Sequence, residues 1–458
     1  MSQKKQAASS ARAGGITDGV IWEQLLVFFF PILFGAFFQQ LYNTVDAVVV
    51  GRFTGSLELA AVGGSTGTII NLLFGFFIGL SSGATVIIAQ FYGAGDKEMV
   101  SRSVHTAIAL SIAGGAILSA IGFIFARTAL EWMQTPDTVI DLAETYIKIY
   151  FIGMIPNLYY NICAAILRAV GDSKRPLYIL IFSCLVNIVL DLVFIIVFKL
   201  GAPGAAWATI ISQGVSGVLC LVYIWKFVPE LRMKKEDWYF RRNLAAKQIG
   251  VGIPMGLQYS ITAIGTMMVQ SALNILGSYA VAAFTAGNKI ENIFTQAYVA
   301  IGTTMATYNA QNIGARKLDR VRQGFNSAHI IGITYAIVTG VIIFFFGKYL
   351  SYLFISDNAA EVIPMVDTYV KCVAVFFIPL HFVNALRNGI QGMGYGLLPM
   401  LAGVAELAGR GITAMAAAAH KSYFGACMAS PMAWVLAGGL LIIMYFYVMK
   451  DMKRRLGL

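Results

Sequence analysis

Long apolar segments alternate with short polar connections along the whole chain. Most of these segments reach or exceed the about 20 residues that an α-helix needs to cross a bilayer. The pattern therefore predicts an all-α polytopic membrane protein with twelve transmembrane helices. The segments lie near residues 22–46, 59–91, 103–126, 139–167, 176–199, 205–228, 247–274, 280–312, 325–347, 362–391, 396–419 and 425–449.

Composition supports a membrane protein over a large soluble one. Of the 458 residues, 58% are hydrophobic and only 12% are charged, whereas an ordinary soluble domain has about 25% charged residues. So little polar sequence could not cover the surface of a soluble protein of this size. The polar, basic N-terminus lacks an apolar region followed by a cleavage site, so we expect no cleaved signal peptide.

Positive charge is concentrated on one side of the predicted membrane. Most of the 33 lysines and arginines lie in the N-terminal tail, in the connections after even-numbered spans and in the C-terminal tail. Such connections face the cytoplasm in membrane proteins. We therefore expect a multi-pass protein of the cell inner (plasma) membrane with both termini cytoplasmic. The net charge of +11 is then topogenic, and nucleic acid is not an expected partner.

The first apolar segment has a polar stripe within it. Gln39, Tyr42, Asn43 and Asp46 follow the spacing i, i+3, i+4 and i+7, which places them on one side of a helix. An ionised aspartate near the bilayer centre costs roughly 2.5–3.5 kcal/mol on insertion scales. Such a side chain normally faces a protein interior or a water-filled cavity, so Asp46 is a candidate proton or ion site.

A second intramembrane carboxyl lies in the fifth span. Ser183, Asn187 and Asp191 are spaced four residues apart and share a helix face, while Thr209 follows in the sixth span. Two carboxyl groups brought together in an apolar medium share protons unequally, as a proton-coupled carrier requires. Carboxylate, amide and hydroxyl oxygens would equally suit Na⁺. A packing role for Asp191, with Asn187 and Thr209 bonding between helices, is the alternative.

The two halves of the chain repeat each other. Landmarks recur at a spacing of 223 residues, so the halves have six spans each and the same orientation. We predict an N-terminal lobe at 1–228, a linker at 229–246 and a C-terminal lobe at 247–458, related by a two-fold axis along the membrane normal with the substrate site between them. The paired landmarks include Pro31 and Pro254, Tyr146 and Tyr369, Pro156 and Pro379, Asn161 and Asn384, and Gly171 and Gly394.

Taken together, these features resemble the multidrug and toxic compound extrusion (MATE) family from about residue 20 to 450. The resemblance implies a drug exporter driven by inward H⁺ or Na⁺. It also implies a cation site in the N-terminal lobe, made by Asp46, Asp191, Asn187, Thr209, Tyr42, Asn43 and Tyr146. The motifs that carry the resemblance are Pro31, the VD…VG run at 45–51, LAAVG at 59–63, AQFYGAG at 89–95, RAVGDSKRP at 168–176, N-x-x-x-D at 187–191 and GAAWAT at 204–209.

The C-terminal half departs from one branch of that family. Some members hold an ion on a carboxylate of the seventh span, but here that span has no acidic residue. Glu406 and Arg410 lie four apart and are expected to pair, with a substrate-facing or gating role as the alternative. The substrate cavity is predicted to include Gln39, Gln258, Lys289, Glu406 and Arg410.

Three functions are compatible with this pattern. The leading one is a secondary active antiporter that exports lipophilic or cationic drugs by alternating access. The alternatives are a lipid-linked oligosaccharide flippase and an intramembrane enzyme using the two aspartates, although we expect no enzyme. We expect a monomer in contact with membrane lipid, with no cofactor beyond the coupling ion. The four histidines are far apart in sequence, so no metal site is expected beyond a possible Na⁺ at the cation site.

Overall fold

The computed structural model describes residues 16–63, 65–133, 135–231, 241–352 and 359–457. Nearly all of these residues are helical, and none of them forms a strand. The basic residues Lys4, Lys5 and Arg12, and residues 232–240 of the predicted linker, lie outside the described part of the chain.

Helices in the first half correspond to predicted spans one to six. A short π-helix at Leu192–Val197 continues the fifth span, and a 3₁₀ turn at Pro229–Leu231 follows the sixth. The α-helices are α1 (Ile21–Phe53), α2 (Ser56–Gly63), α3 (Ser65–Gly93), α4 (Lys97–Trp132), α5 (Asp137–Ile152), α6 (Met154–Ala169), α7 (Lys174–Asp191) and α8 (Gly201–Phe227).

Helices in the second half correspond to spans seven to twelve. They are α9 (Arg242–Leu276), α10 (Ser278–Gly314), α11 (Leu318–Ser351), α12 (Ala359–Val375), α13 (Phe377–Gly392), α14 (Leu397–Ala419), α15 (Tyr423–Cys427) and α16 (Ala429–Leu456).

Helix length and apolar composition support the predicted twelve spans. In the described part of the chain, seven helices are long and apolar enough to cross a membrane, or nine if each of two bent pairs is one span. The other three predicted spans fall in α9, α10 and α14, which have 35, 37 and 23 residues. These are long enough to cross but more polar, as expected for helices that line a protein interior.

Backbone contacts divide the chain into two compact units. We call Pro31–Gly256 the first unit, and the residues up to Phe30 together with Leu257–Leu458 the second unit. Helices α1 and α9 each begin in one unit and end in the other. The divisions fall close to Pro31 and Pro254, the paired prolines of the repeat, both of which lie inside continuous helices. The lobe boundaries placed at the linker remain a prediction.

Both units break a span at the same point of the repeat. The axes of α5 and α6 differ by 48° and those of α12 and α13 by 52°. The breaks lie at Gly153 and Phe376, which are 223 positions apart. Pro156 and Pro379 follow three residues later, and proline cannot donate the backbone hydrogen bond that would continue the preceding helix.

An ion pair also recurs in both units. Lys148 Nζ lies 2.6 Å from Glu144, and Lys371 Nζ lies 2.6 Å from Asp367. Each ammonium also lies over a phenylalanine ring, at 5.3 and 5.6 Å from its centroid. The repeat therefore extends from sequence landmarks to side-chain contacts.

Glycines allow close helix packing within the first unit. A Cβ atom added at Gly79 of α3 would lie 2.3 Å from the backbone nitrogen of Gly256, and one at Gly83 would lie 2.4 Å from Gly252. Any larger residue would therefore separate α3 from the first part of α9. Small residues that bring backbones together are the usual means of helix association in membranes.

Candidate functional site

Asp46 and Asp191 lie next to each other in the first unit. Asp46 is on α1 and Asp191 is the last residue of α7, and their carboxyl groups are close enough to interact electrostatically. Asp191 is fully buried, whereas Asp46 is partly exposed. Two adjacent carboxylates in this environment require a proton or a cation between them, because their like charges repel.

The backbone changes its helical form at this point. The α-helix ends at Asp191 and a π-helix runs from Leu192 to Val197. After it, the Phe198 N–H donates to the Val193 carbonyl at 3.0 Å, a five-residue step. Such wide turns are rare and occur frequently at functional sites. Asp191 thus lies at the point where the fifth span departs from regular geometry.

Tyrosines surround the two carboxyls. The Tyr42 hydroxyl donates to Thr209 Oγ1 at 3.1 Å, which connects α1 to α8. Tyr146 and Tyr150, one turn apart on α5, both lie close enough to Asp46 to interact with it electrostatically. Sequence reasoning selected Tyr146 but missed Tyr150. The four-residue spacing of the two tyrosines was the signal that could have found it.

An apolar cluster packs beside this polar group, and Tyr146 belongs to both. Apolar surroundings strengthen electrostatic interactions between charged groups. The buried members of the cluster are Val49, Val50, Tyr146, Ile195, Ala202, Ala205 and Ala206.

Several buried polar atoms at this point have no hydrogen-bond partner among the described residues. They are both carboxyl oxygens of Asp191, Oδ1 of Asp46, and the oxygen and nitrogen of the Asn187 amide. Leaving one such group unsatisfied costs about 1–3 kcal/mol, so these atoms form a concentrated group of unsatisfied polar atoms. Carboxylate and amide oxygens suit a small hard cation such as Na⁺, and a proton shared by the two carboxyls would also satisfy them.

Not every predicted site residue joins the group. Gln39 is partly exposed and Asn43 is exposed on α1, and in the described part of the chain neither is hydrogen-bonded to the two aspartates. Ser183 donates to the Ser212 carbonyl at 3.0 Å, so its hydroxyl serves helix packing. The structure thus places Tyr42 and Tyr146 beside the carboxyl pair, with Thr209 bonded to Tyr42 and Asn187 one turn before Asp191 on α7.

In the second unit, the expected Glu406–Arg410 pair is present and has a third member. Arg410 Nη2 lies 2.9 Å from Glu406 Oε1, and Arg387 Nη2 lies 2.6 Å from Oε2. All three side chains are at least 90% buried. Sequence reasoning missed Arg387 because α13 approaches α14 only in the folded chain. An arginine within an apolar segment was the available signal.

The other second-unit candidates lie apart from this triad or at its edge. Gln258 accepts a hydrogen bond from Gln391 at 2.9 Å, and Lys289 is exposed on α10. The histidines are less isolated than their sequence positions indicated, since His329 Nδ1 and His381 Nε2 are 3.1 Å apart. Among the described residues, no group of three or more His, Cys, Asp or Glu could hold a metal ion.

Fold and site together define a polytopic helical membrane protein with a buried acidic site in one repeated unit. The MatE family model matches residues 31–193 and 254–413, which begin 223 positions apart. The chain belongs to the MatE family. Its members are multidrug efflux transporters and not enzymes, so this chain is a multi-pass membrane protein of a transporter family.

Named relatives cover most of the chain. "Probable multidrug resistance protein YpnP" of Bacillus subtilis is 33% identical over 392 residues, which span 85% of this chain and 86% of the relative. "Probable multidrug resistance protein NorM" of Thermotoga maritima is 26% identical and covers 83% of this chain and 82% of its own length. The "FAD transporter" of Shewanella oneidensis is 23% identical over 82% of this chain and 83% of the relative.

Solved structures confirm the fold. A MOP superfamily transporter from Pyrococcus furiosus, described as having a binding pocket of reverse polarity, has a TM-score of 0.89 at 22% identity, covering 96% of this chain and 98% of its own. An outward-facing multidrug resistance MATE family transporter has a TM-score of 0.88 at 20% identity, with the same coverage. The predicted all-α polytopic class is therefore correct.

Proposed function

We propose that this protein is a secondary active antiporter that exports lipophilic, often cationic compounds in exchange for H⁺ or Na⁺. The coupling cation binds at Asp46 and Asp191. The observation that carries this proposal is the concentration of unpartnered buried oxygens on Asp46, Asn187 and Asp191, beside an apolar cluster. A site of this kind is costly unless a cation enters and leaves it.

Cation binding would change the packing of the first unit. Without a bound cation, the two carboxylates repel each other. A bound cation attracts both carboxylates, so binding draws α1 and α7 together at Asp46 and Asp191. Tyr42 and Thr209 extend this connection to α8 through their hydrogen bond. Alternating access follows if the cation-bound arrangement favours opening to one side of the membrane and the cation-free arrangement favours opening to the other.

The available driving force is sufficient. One charge crossing a potential of 100 mV releases about 2.3 kcal/mol, while a tenfold concentration step requires about 1.4 kcal/mol. We place the protein in the inner membrane as a monomer with cytoplasmic termini. The sequence distribution of Lys and Arg supports this orientation.

Removing the first carboxyl tests the proposal. We expect Asp46→Asn to reduce dye efflux from intact cells to the level of cells without the transporter, because an amide cannot replace the titrating or ion-binding carboxylate. Asp319→Asn is the matched control, since Asp319 is exposed at the start of α11. Equal amounts of both variants in the membrane must be shown by immunoblot. Wild-type efflux by Asp46→Asn would refute the cation site.

A further inference from the structure

A polar stripe runs along α9 in the second unit. Gln258, Thr262, Thr266, Gln270 and Asn274 follow one another at intervals of four residues, and each is partly or fully exposed. Side chains at this spacing share one helix face. Thr262 and Thr266 donate to backbone carbonyls one turn earlier and Gln270 donates to Asn274, so these bonds lie within α9. A polar face of a transmembrane helix normally faces a protein interior or a water-filled cavity. The second unit therefore has a hydrophilic face on α9.

The buried triad of Arg387, Glu406 and Arg410 lies next to α9, as two hydrogen bonds show. Arg410 Nη1 donates to the Thr262 carbonyl at 3.4 Å. One helical turn from Arg387 on α13, Gln391 donates to Gln258 at 2.9 Å. The triad thus lies beside α9 at the level of the first two residues of this stripe.

The triad has more donors than its own acceptor can use. Two guanidinium groups share the single carboxylate of Glu406, and the buried Nε–H of Arg387 and that of Arg410 have no acceptor among the described residues. Glu291 on α10 is near enough to interact electrostatically with Arg410, but its carboxyl accepts its hydrogen bond from Tyr369. The unpartnered donors therefore call for an acceptor from outside the protein.

The arginine triad lies at the position of the repeat that corresponds to the acidic site of the first unit. A shift of 223 positions places Arg410 opposite Asn187 and Tyr369 opposite Tyr146, two residues of the acidic site in the first unit. The position that presents unpartnered acceptors in the first unit thus presents unpartnered donors in the second.

We propose that Arg387 and Arg410 bind the anionic group, a carboxylate or a phosphate, of a transported compound, with Glu406 holding both guanidinium groups in place. This inference rests on the proposed export function in one respect: it assumes that the bound anion is part of an exported compound. The anion binds the two guanidinium groups from the side of the α9 stripe, where planar guanidinium donors match carboxylate and phosphate oxygens. The site would bind zwitterionic or anionic compounds, whereas the coupling cation binds in the first unit.

Direct binding to the purified full-length protein tests the proposal. The probes are carboxyfluorescein as the anion and ethidium as the cation, followed by fluorescence polarisation in nanodiscs of phosphatidylcholine. Arg387→Gln and Arg410→Gln each leave one arginine paired with Glu406, so neither leaves an uncompensated buried charge. We expect each to weaken carboxyfluorescein binding about tenfold, as the loss of a charge-assisted hydrogen bond does, with ethidium binding unchanged.

Arg322→Gln is the matched control, because Arg322 is exposed on α11; it should bind both probes like the wild type. Unchanged anion binding in both triad variants, equal weakening for both probes, or no saturable anion binding by the wild type would overturn the proposal. Repeating the titration with phosphatidylglycerol in the nanodiscs separates the sources of the anion. Arginine-dependent competition by that lipid assigns the site to a lipid phosphate, and its absence assigns the site to the compound's own anionic group.

Failure of this site and failure of the cation site can be distinguished. Asp46→Asn should bind carboxyfluorescein like the wild type while losing export. If Asp46→Asn exports normally, the proposed coupling site is wrong, but arginine-dependent anion binding would still stand.

Discussion

The two units place opposite charges at equivalent points of one repeat. The first unit brings Asp46 and Asp191 together with no basic side chain bonded to them in the described chain, whereas the second surrounds Glu406 with Arg387 and Arg410. The helix breaks and the lysine ion pairs recur in both units. The comparison shows that backbone architecture and site chemistry are separable: the repeat preserves the bends while the charges differ.

The difference has an energetic consequence. A buried carboxylate without a cationic partner is a cost to folding, so its replacement by a neutral group should not destabilise the protein. A carboxylate that compensates two buried guanidinium groups is required for stability, because its loss leaves both charges uncompensated. Each site can therefore be recognised by what its removal does to stability.

The largest expected effect is on the stability of the second unit. Glu406→Gln should lower the free energy of unfolding by about 3–5 kcal/mol, the range found when one partner of a buried ion pair is removed. Thermal unfolding of the purified protein in detergent measures this change. The double variant Glu406→Gln with Arg387→Gln should recover part of the loss, and an unchanged melting temperature in the single variant would contradict the compensating role.

The corresponding change in the first unit should affect transport instead. Asp191→Asn should lower the initial rate of dye efflux about 100-fold, equivalent to about 2.7 kcal/mol, with an unchanged or higher melting temperature. Both readouts come from the same purified preparation. Reduced stability together with retained efflux would reverse our assignment of the two units.

A smaller effect is expected from the hydrogen bond between Tyr42 and Thr209. Tyr42→Phe removes a buried hydroxyl contact worth about 1 kcal/mol, so the cation concentration for half-maximal efflux should rise about fivefold. Thr209→Val should have a similar effect, and the double variant should be little worse than either single one. Fully additive effects would show that the two residues act separately.

The smallest effect is expected at an exposed ion pair outside both sites. Lys317 Nζ lies 2.7 Å from Asp18, and this hydrogen bond holds the pKa of the Asp18 carboxyl below its usual value of 3.8. A depressed pKa in the folded protein contributes stability above about pH 4 that is lost as pH falls through the folded value.

Because both side chains are exposed, this contribution should stay below about 1 kcal/mol and shrink with added salt. Asp18→Asn should lower the melting temperature slightly at pH 7 and by less near pH 3. An effect of Asp18→Asn that is equal at both pH values would show that the ion pair is not its cause.

Much of the fold could be predicted from sequence because segment length and apolar content determine what crosses a bilayer. The repeat was also visible, since prolines such as Pro156 and Pro379 stand at fixed separation. Their consequence, a bend of about 50° with a helix break at Gly153 and Phe376, was not predicted, because a helix can also continue through a proline, as at Pro31 and Pro254.

The sites were only partly predictable. Spacing along single helices placed Asp46 and Asp191 on polar faces, and it paired Glu406 with Arg410. Contacts between helices were out of reach, so Arg387 was missed and the contact of His329 with His381 was not expected. Which helices approach one another depends on packing across the whole unit, which no local pattern specifies.

Transport by the purified protein in proteoliposomes tests the coupling site most directly, with pH and sodium gradients imposed one at a time. The wild type should export dye against its gradient when the effective cation flows inward, and the variant Asp46→Asn with Asp191→Asn should show none of this gradient-driven transport. Gradient-driven export that persists in the double variant would contradict the assignment of the coupling cation to these two carboxyls.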